Sequence, residues 1–345
     1  MVFVSLCNPI QEIGSDSLVT QVDVIVPVFN TRLDYLADAI KSLRNQTFPD
    51  WCAWIVDDGS ELEYGIRLQA HLQSYGDERI HYLYTEHKGA TGSRNVAIRH
   101  GHAPYVAFLD SDDLWMPHHL SSHVSHLERA KEISLVHGFF EVIDSESQPM
   151  PSAPPWPGLN DLGNAECFVK MLKGNFIGAS TVVLRRRILE DVGSFDASFP
   201  SLGDKELWLR LLNVNAKFHY DSKASALYRV HPGNISKNTD LLLATRRRII
   251  EKAEVIIHGN PNFSEIEWPS LKRHMVRHMF REAAEVHFAE GRYDKAIKFA
   301  APWRYGLSLR SCKIVLRSAV AVLLGIIVAT TENASAFFGS RFGNH

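Results

Sequence analysis

The sequence predicts an α/β chain with a mostly parallel central sheet, helices on both of its faces, and a C-terminal helical extension. Three observations carry this. Between residues 22 and 113, strand-like and helix-like segments alternate, the β-α-β-α order that builds a parallel sheet between helices. The strand-like runs are continuously apolar, as strands buried on both faces must be. Beyond about residue 241 the pattern is helical and no further strand is read.

The elements follow in order. VDVIVPVFN (22–30) reads as the first strand, LDYLADAIKSLRNQ (33–46) as a helix with apolar residues at helical spacing, and WCAWIVDDGS (51–60) as the second strand and its turn. A polar amphipathic stretch, then RIHYLYTE (79–86), a helix containing GSRNVAIRHG (92–101), and YVAFLDSDD (105–113) complete the first half. A histidine-bearing helix spans 117–131, a strand 134–144, and a Pro-rich loop 148–160, which cannot form a regular element. Residues 176–196 read as a strand leading into a helix, 202–215 as a short helix, and 223–238 as a strand and turn. AEGRYDKAIKFA (289–300) resembles one tetratricopeptide unit, but no second copy follows, so it is read as an ordinary helix-turn-helix.

With 345 residues, 45% hydrophobic and 22% charged, the chain has ample core for two units or for one large unit with an appendage. The expected division is a tail over 1–21, a main unit over 22–240 with halves at 22–113 and 114–240, and a helical region over 241–345. Lys+Arg number 37 against 39 Asp+Glu, which leaves no basic field for gripping nucleic acid. Cys7, Cys52, Cys167 and Cys312 lie far apart with no C-x-x-C pair, excluding a zinc ribbon or disulfide framework and pointing to a reduced compartment. No signal peptide is read at the start, so the chain is expected in the cytoplasm and the sequons at Asn45, Asn234 and Asn333 are read as accidental.

Residues 318–331 form an uncharged run of 14, about 21 Å as a helix and too short to span a hydrocarbon core of about 30 Å. Arg310, Lys313 and Arg317 precede it, with Trp303 and Tyr305 upstream, so segment 307–331 suits a peripheral anchor on the inner face of the membrane. A buried helix or an oligomer contact fits the same residues, and both readings stay open.

Polar residues gather where the apolar strands end: Asn30; Asp57, Asp58, Gly59 and Ser60; Asp110, Ser111, Asp112 and Asp113. Ligands on parallel sheets bind at these carboxyl ends. Two carboxylates about 5 Å apart repel by roughly 3 kcal/mol at an effective dielectric near 20, so a cation is expected beside the last group. The hard oxygens of Asp110 and Asp112 suit Mg²⁺ or Mn²⁺ and leave coordination positions for phosphate. A D-x-D phosphatase also carries such acids, but on its opening strand, whereas three strands precede this one.

Six segments in order resemble the inverting family 2 glycosyltransferases of GT-A fold: VDVIVPVFN, IVDDGS, HKGATGSRNVAIRH, VAFLDSDDLWMP, GSFDASFPSLGDKELWLRLL and YRVHPGNIS, together covering about residues 22 to 237. The resemblance implies transfer of a sugar from a nucleotide diphosphate donor, expected to be UDP-linked, to a hydroxyl of a polysaccharide or lipid-linked glycan. By the same resemblance Pro27, Val28, Phe29 and Asn30 would wall the base, Asp58 would accept a hydrogen bond from uracil, and Gly89 and Arg94 would meet the diphosphate. Asp110 and Ser111 would lie at the nucleotide sugar. Asp112 would bind the metal directly, Asp110 would reach the ribose or, through water, the metal, and His231 would be a further metal or diphosphate contact. Asp113 is read as a cap for the helix near Pro117 or as a support behind the ligands.

Asp204 is the candidate general base, with an N-cap as its structural alternative. Gly203 stands where the family commonly has Glu, and Glu206 where Asp is common; Glu206 is read as a charge favoured by the helix dipole. Trp115 and Trp156 are read as packing residues, with sugar stacking as the alternative. A non-catalytic nucleotide- or glycan-binding scaffold of the same fold is the competing function, encouraged by Gly203.

Overall fold

Strand β1 (Val22–Val28) is buried along its whole length, and its two faces face two different cores. Val22, Val24 and Val26 meet Leu36, Ile40 and Leu43, while Ile25 joins Val96, Phe108 and Trp208. This period-2 division is why the segment is apolar throughout. The computed structural model describes residues 20–151, 159–289 and 291–300.

Helix α1 (Leu33–Arg44) follows β1, then β2 (Trp51–Asp58), α2 (Leu62–Ser74), β3 (Ile80–Thr85), α3 (Gly89–His100) and β4 (Tyr105–Phe108). Strands β2 and β4 flank β1, β3 lies outside β2, and all three pairings are parallel. Here the expected parallel sheet is found. Its second half is mixed. Strands β5 (Leu114–Trp115), β6 (Ile133–Ile143), β7 (Pro149–Met150), β8 (Val182–Arg185) and β9 (Lys217–Arg229) extend the order to β3-β2-β1-β4-β8-β6-β9-β5, with β7 on β6. Strand β8 runs antiparallel to both β4 and β6, whereas β9 runs parallel to β6. The Pro-rich loop thus opens with the two-residue strand β7, a small departure from the expectation of no regular element. Trp156 lies outside the described residues, as does the 307–331 segment.

Helices α1, α2 and α4 (His119–Arg129) cover one face; α3, α5 (Asn164–Lys173), α6 (Arg186–Val192) and α7 (Gly203–Asn213) cover the other. Trp208 is fully buried there and its Nε1 donates to the Ile177 carbonyl at 3.1 Å. The same core continues past residue 240. Ile249 and Ile250 of α8 (Thr239–Gly259), with Leu271 and Met275 of α9 (Trp268–Ala289), join Phe168, Leu212 and Phe263. Helix α10 (Tyr293–Ala300) follows after Gly291, whose φ of 73° reverses the chain. Among the described residues no helix is long and apolar enough to cross a membrane.

A layer of buried histidines underlies the sheet. His119 stacks on Trp115 at 4.2 Å between centroids, and His119 and His123 have no hydrogen-bond partner for either ring nitrogen among the described residues. Burial drives the pKa of His119 well below its ordinary value, that of His123 down to about 3 and that of His137 down to about 4. Unfolded histidines titrate near 6.5, so below that pH the unfolded chain takes up protons that the folded chain refuses. Stability is therefore fully present above about pH 6.5 and falls progressively as pH drops toward 4. Urea denaturation at pH 7 and pH 5 is expected to give a clearly lower midpoint at pH 5; equal midpoints would contradict neutral buried rings.

Candidate active site

The site lies at the carboxyl ends of β1, β2 and β4. After β1, Phe29 is half exposed and packs on His87, ring centroids 4.3 Å apart and planes at 34°. Asn30 takes a left-handed φ of 48°; its amide donates to Ser60 Oγ at 2.9 Å and its Oδ1 accepts from the Glu61 amide at 3.2 Å, tying the first two strand ends together. Pro27 and Val28 belong to β1, and Val28 is buried. After β2, Asp57 is fully buried, accepting from the Ser60 amide at 2.9 Å and Tyr82 OH at 3.0 Å, and so shapes the turn. Asp58 Oδ1 accepts from the Lys88 amide at 2.8 Å, and its Oδ2 lies 2.9 Å from His87 Nδ1. His87 was not singled out from the sequence, although it stands at the head of a motif that was; it lines one slot with both Phe29 and Asp58.

Helix α3 begins at Gly89, whose φ of 73° favours glycine and beside which a Cβ would meet nothing within 4 Å. The helix start therefore opens on free space, and an α-helix N-terminus attracts anions. One turn on, Arg94 is buried to within 8% of its side chain and pairs with Asp110 Oδ1. Its Nε has no partner among the described residues.

The turn after β4 is braced from below, and the hub of the brace, Ser180, carried no sequence signal. Ser180 Oγ accepts from the Asp110 amide at 3.1 Å and donates to Asp113 Oδ2 at 2.7 Å, while Trp115 Nε1 donates to the Ser180 carbonyl at 2.6 Å. Asp113 is buried, and its Oδ1 accepts from the Arg229 amide at 3.0 Å. It is therefore not a cap of α4, which starts at His119 with no side-chain cap at all. Burial, then the charges of Asp112 and Asp110, raise its pKa well above the ordinary carboxyl range. Trp115 is buried and spoken for by His119 and Ser180, so sugar stacking is excluded for it. Arg229 is fully buried: Nε donates to the Asp112 carbonyl, Nη1 to Ser147 Oγ and Nη2 to Asp38 Oδ2, at 2.8–2.9 Å. Ser111 is buried and shares a hydrogen bond of 2.8 Å with Thr31.

Asp112 faces His231, with Oδ2 to Nε2 at 2.9 Å, and Asn234 Nδ2 approaches the same oxygen at 3.4 Å. Burial first, and then the neighbouring charge of Asp110, raise the Asp112 pKa. The hydrogen bond and charge of His231 act the other way and pull it down. The hard carboxylate oxygens of Asp112 are of the kind that suits Mg²⁺ or Mn²⁺, whereas the imidazole of His231 is the softer of the two donors. Among the described residues no three His, Cys, Asp or Glu side chains form a ready-made metal cage. Asp112 and His231 fit an ion whose remaining positions are filled by phosphate and water, while Asp110 is engaged by Arg94.

Asp204 sits in the first turn of α7, but the residue before that helix is Leu202, at a left-handed φ of 54° and without a side-chain cap. The N-cap alternative for Asp204 therefore does not hold. Its Oδ1 accepts from the adjacent Lys205 amide at 2.8 Å and its Oδ2 from Asn175 Nδ2 at 3.3 Å. Burial raises its pKa; the Lys205 amide, Arg94 and Asn175 pull it down, and Asp110 pushes it up. Asp204 thus lies within electrostatic reach of the Arg94–Asp110 pair.

Glu206 is buried between Arg210, at 2.8 Å, and Lys252 of α8, and Arg210 also donates to the carbonyls of Val192, Gly193 and Ser194. It ties α7 to α8 from the first turn of α7, where the helix dipole also favours an acid. Gly203 has a steric reason: a Cβ there would stand 2.2 Å from Thr91 Cγ2, and Thr91 is held by a bond to the Phe199 carbonyl. A side chain at 203 would therefore displace the Thr91 methyl or strain its bond to Phe199.

Residues 23–193 match the profile described as Glycosyl transferase family 2. The UDP-Glc:alpha-D-GlcNAc-diphosphoundecaprenol beta-1,3-glucosyltransferase WfgD of Escherichia coli is 30% identical over 226 residues, 63% of this chain and 80% of that protein. The putative teichuronic acid biosynthesis glycosyltransferase TuaG of Bacillus subtilis is 32% identical over 221 residues, 63% of this chain and 82% of that one. Among solved structures, S. aureus TarS 1-349 aligns with a TM-score of 0.55 at 18% identity, covering 86% of this chain and 88% of its own; at that identity it shows a shared fold.

Proposed function

The chain belongs to glycosyl transferase family 2 and is a glycosyltransferase of GT-A-type fold, and on that premise we propose that it transfers a sugar from a UDP-linked donor to a hydroxyl of a lipid-linked glycan, with inversion. One observation carries this reading beyond the family. Asp204, from a helix far along the chain, feels the charges of Arg94 in α3 and Asp110 after β4, which pair with each other, and this supports reading it as a base beside an anion site.

In this reading the uracil lies against Phe29 and His87 and meets Asp58. The diphosphate lies at the open start of α3, where Arg94 turns from Asp110 to the phosphates. Asp112 and His231 would hold the divalent cation, which supplies Lewis-acid neutralisation of the departing diphosphate. Asp204, oriented by Asn175, takes the proton of the acceptor hydroxyl. The acceptor oxygen forms a bond to the anomeric carbon as the bond from that carbon to the diphosphate oxygen breaks, and the electron pair leaves with UDP. A single displacement inverts the anomeric centre. The relative from E. coli is named for a UDP-glucose donor and a diphosphoundecaprenol acceptor, which supports both substrate classes.

The test is UDP release from UDP-glucose or UDP-N-acetylglucosamine with Mn²⁺, with and without a sugar diphosphate lipid. Acceptor-dependent release is expected. UDP binding without consumption of any donor would mark a scaffold instead, and a phospho-aspartate at Asp110 a phosphatase.

A further inference from the structure

A line of cations runs along the outer face of α9 and onto the end of α5. Arg273 and Arg277 are exposed, Arg281 is half buried, and at spacings of four residues they lie on one side of the helix over roughly 12 Å. Lys173, the last residue of α5, is exposed too and close to this line. The His274 ring between them has its pKa lowered by burial and then by Lys173, His278, Arg281 and Arg277, so several positive charges act on one spot.

These cations are not there to hold the fold. Among the described residues no carboxylate pairs with Lys173, Arg273 or Arg277. Of the acids of α9, Glu282 pairs with Arg246 and His278, and Glu285 lies 4.0 Å from Arg281, so Arg281 is the member of the line with a carboxylate in reach. Three neighbouring cations without counter-charge, Lys173, Arg273 and Arg277, are costly to assemble and call for an anionic partner. The sequence beyond residue 300 adds Arg304, Arg310, Lys313, Arg317 and Arg341 against one acid, Glu332, and so brings almost no neutralising charge.

Position points to the kind of partner. Lys173 is two residues from Asn175, whose amide reaches Asp204, so the basic line begins beside the proposed acceptor side. We propose that Lys173, Arg273, Arg277 and Arg281 form a docking surface for the anionic headgroups of a bilayer, holding the enzyme against the membrane with its acceptor side near the lipid. The orientation rests on the reading that the acceptor is lipid-linked; the docking itself does not. A plane of phosphate charge matches a straight row of cations on a helix, and each Lys or Arg held near such a surface strengthens binding about fivefold.

The experiment is co-sedimentation of the full chain with vesicles of phosphatidylcholine alone or mixed with phosphatidylglycerol, beside UDP release with a water-soluble acceptor. Binding is expected only to the anionic vesicles and is expected to vanish at about 1 M salt, where the screening length is roughly 3 Å. The triple variant Lys173→Gln/Arg273→Gln/Arg277→Gln is expected to bind them about 100-fold more weakly with unchanged soluble turnover and melting temperature. Equal binding of variant and wild type, equal binding to both vesicles, or capture by an anionic polysaccharide but by neither vesicle would overturn the proposal. Since sedimentation needs no turnover, a chain that docks without consuming donor would sink the transferase reading and leave the docking surface standing.

Discussion

Asp204→Asn is expected to lower sugar transfer by about 10²–10⁴-fold, the range that a positioned general base contributes, while UDP binding stays within a few-fold of wild type. Asparagine keeps the size of the side chain and an oxygen to accept from the Lys205 amide, so the helix start is preserved. What disappears is the ability to receive a proton. Loss of one acidic charge in the first turn of α7 changes stability by about 0.3–1 kcal/mol, a small shift in melting temperature. If turnover and UDP binding fell together with a large drop in melting temperature, Asp204 would be a structural residue.

Asp112→Asn is expected to act in opposite directions on the free and the ligand-bound protein. In the free chain the charged form of Asp112 is opposed by burial and by Asp110, so a neutral side chain that still accepts from His231 should leave stability unchanged or raise it. With UDP and Mn²⁺ present, the wild type should gain melting temperature by mass action and the variant should not. Turnover of the variant should fall by at least about 10–100-fold, since even groups behind a metal ligand cost that much when lost. EDTA should bring the wild type to the level of the variant. A variant less stable without ligand, and equally stabilised with it, would mean that Asp112 holds the fold instead.

Much of this was legible because strand-end chemistry is local. Each apolar run of the first half ends where its polar residues begin, so Asn30, Asp58 and Asp110 could be placed at one edge of a parallel sheet from alternation alone. The α4 and α7 helices and the long β6 strand are likewise local patterns, whereas the sequence marks β9 only from 223 and the strand starts at Lys217. The insertion of β8 between β4 and β6, against the direction of both, was not legible, because a four-residue apolar strand carries no mark of its neighbours. The braces were hidden because they reach far along the chain. Arg229 grips the turn at Asp112 from 117 positions away; it lies in the YRVHPGNIS segment, but only His231 was singled out there, and Ser180, about 70 positions away, belongs to none of the six segments. Of the two readings of Asp113 the helix cap does not hold, because the Arg229 amide and Ser180 claim its two oxygens, and it stands behind the turn as a support. Gly203 misled: read as a missing acid, it is a contact point at which Thr91 leaves no room for a side chain.

The central claim is that a nucleoside diphosphate and a divalent ion are held together where β4 ends. Calorimetric titration of UDP into the full chain tests it most directly, with Mn²⁺ or with EDTA, on wild type and Asp112→Asn. Saturable one-to-one binding that depends on Mn²⁺, and is weakened in the variant by about tenfold or more, is the predicted result. Binding of equal strength in all four titrations, or none in any, would contradict it.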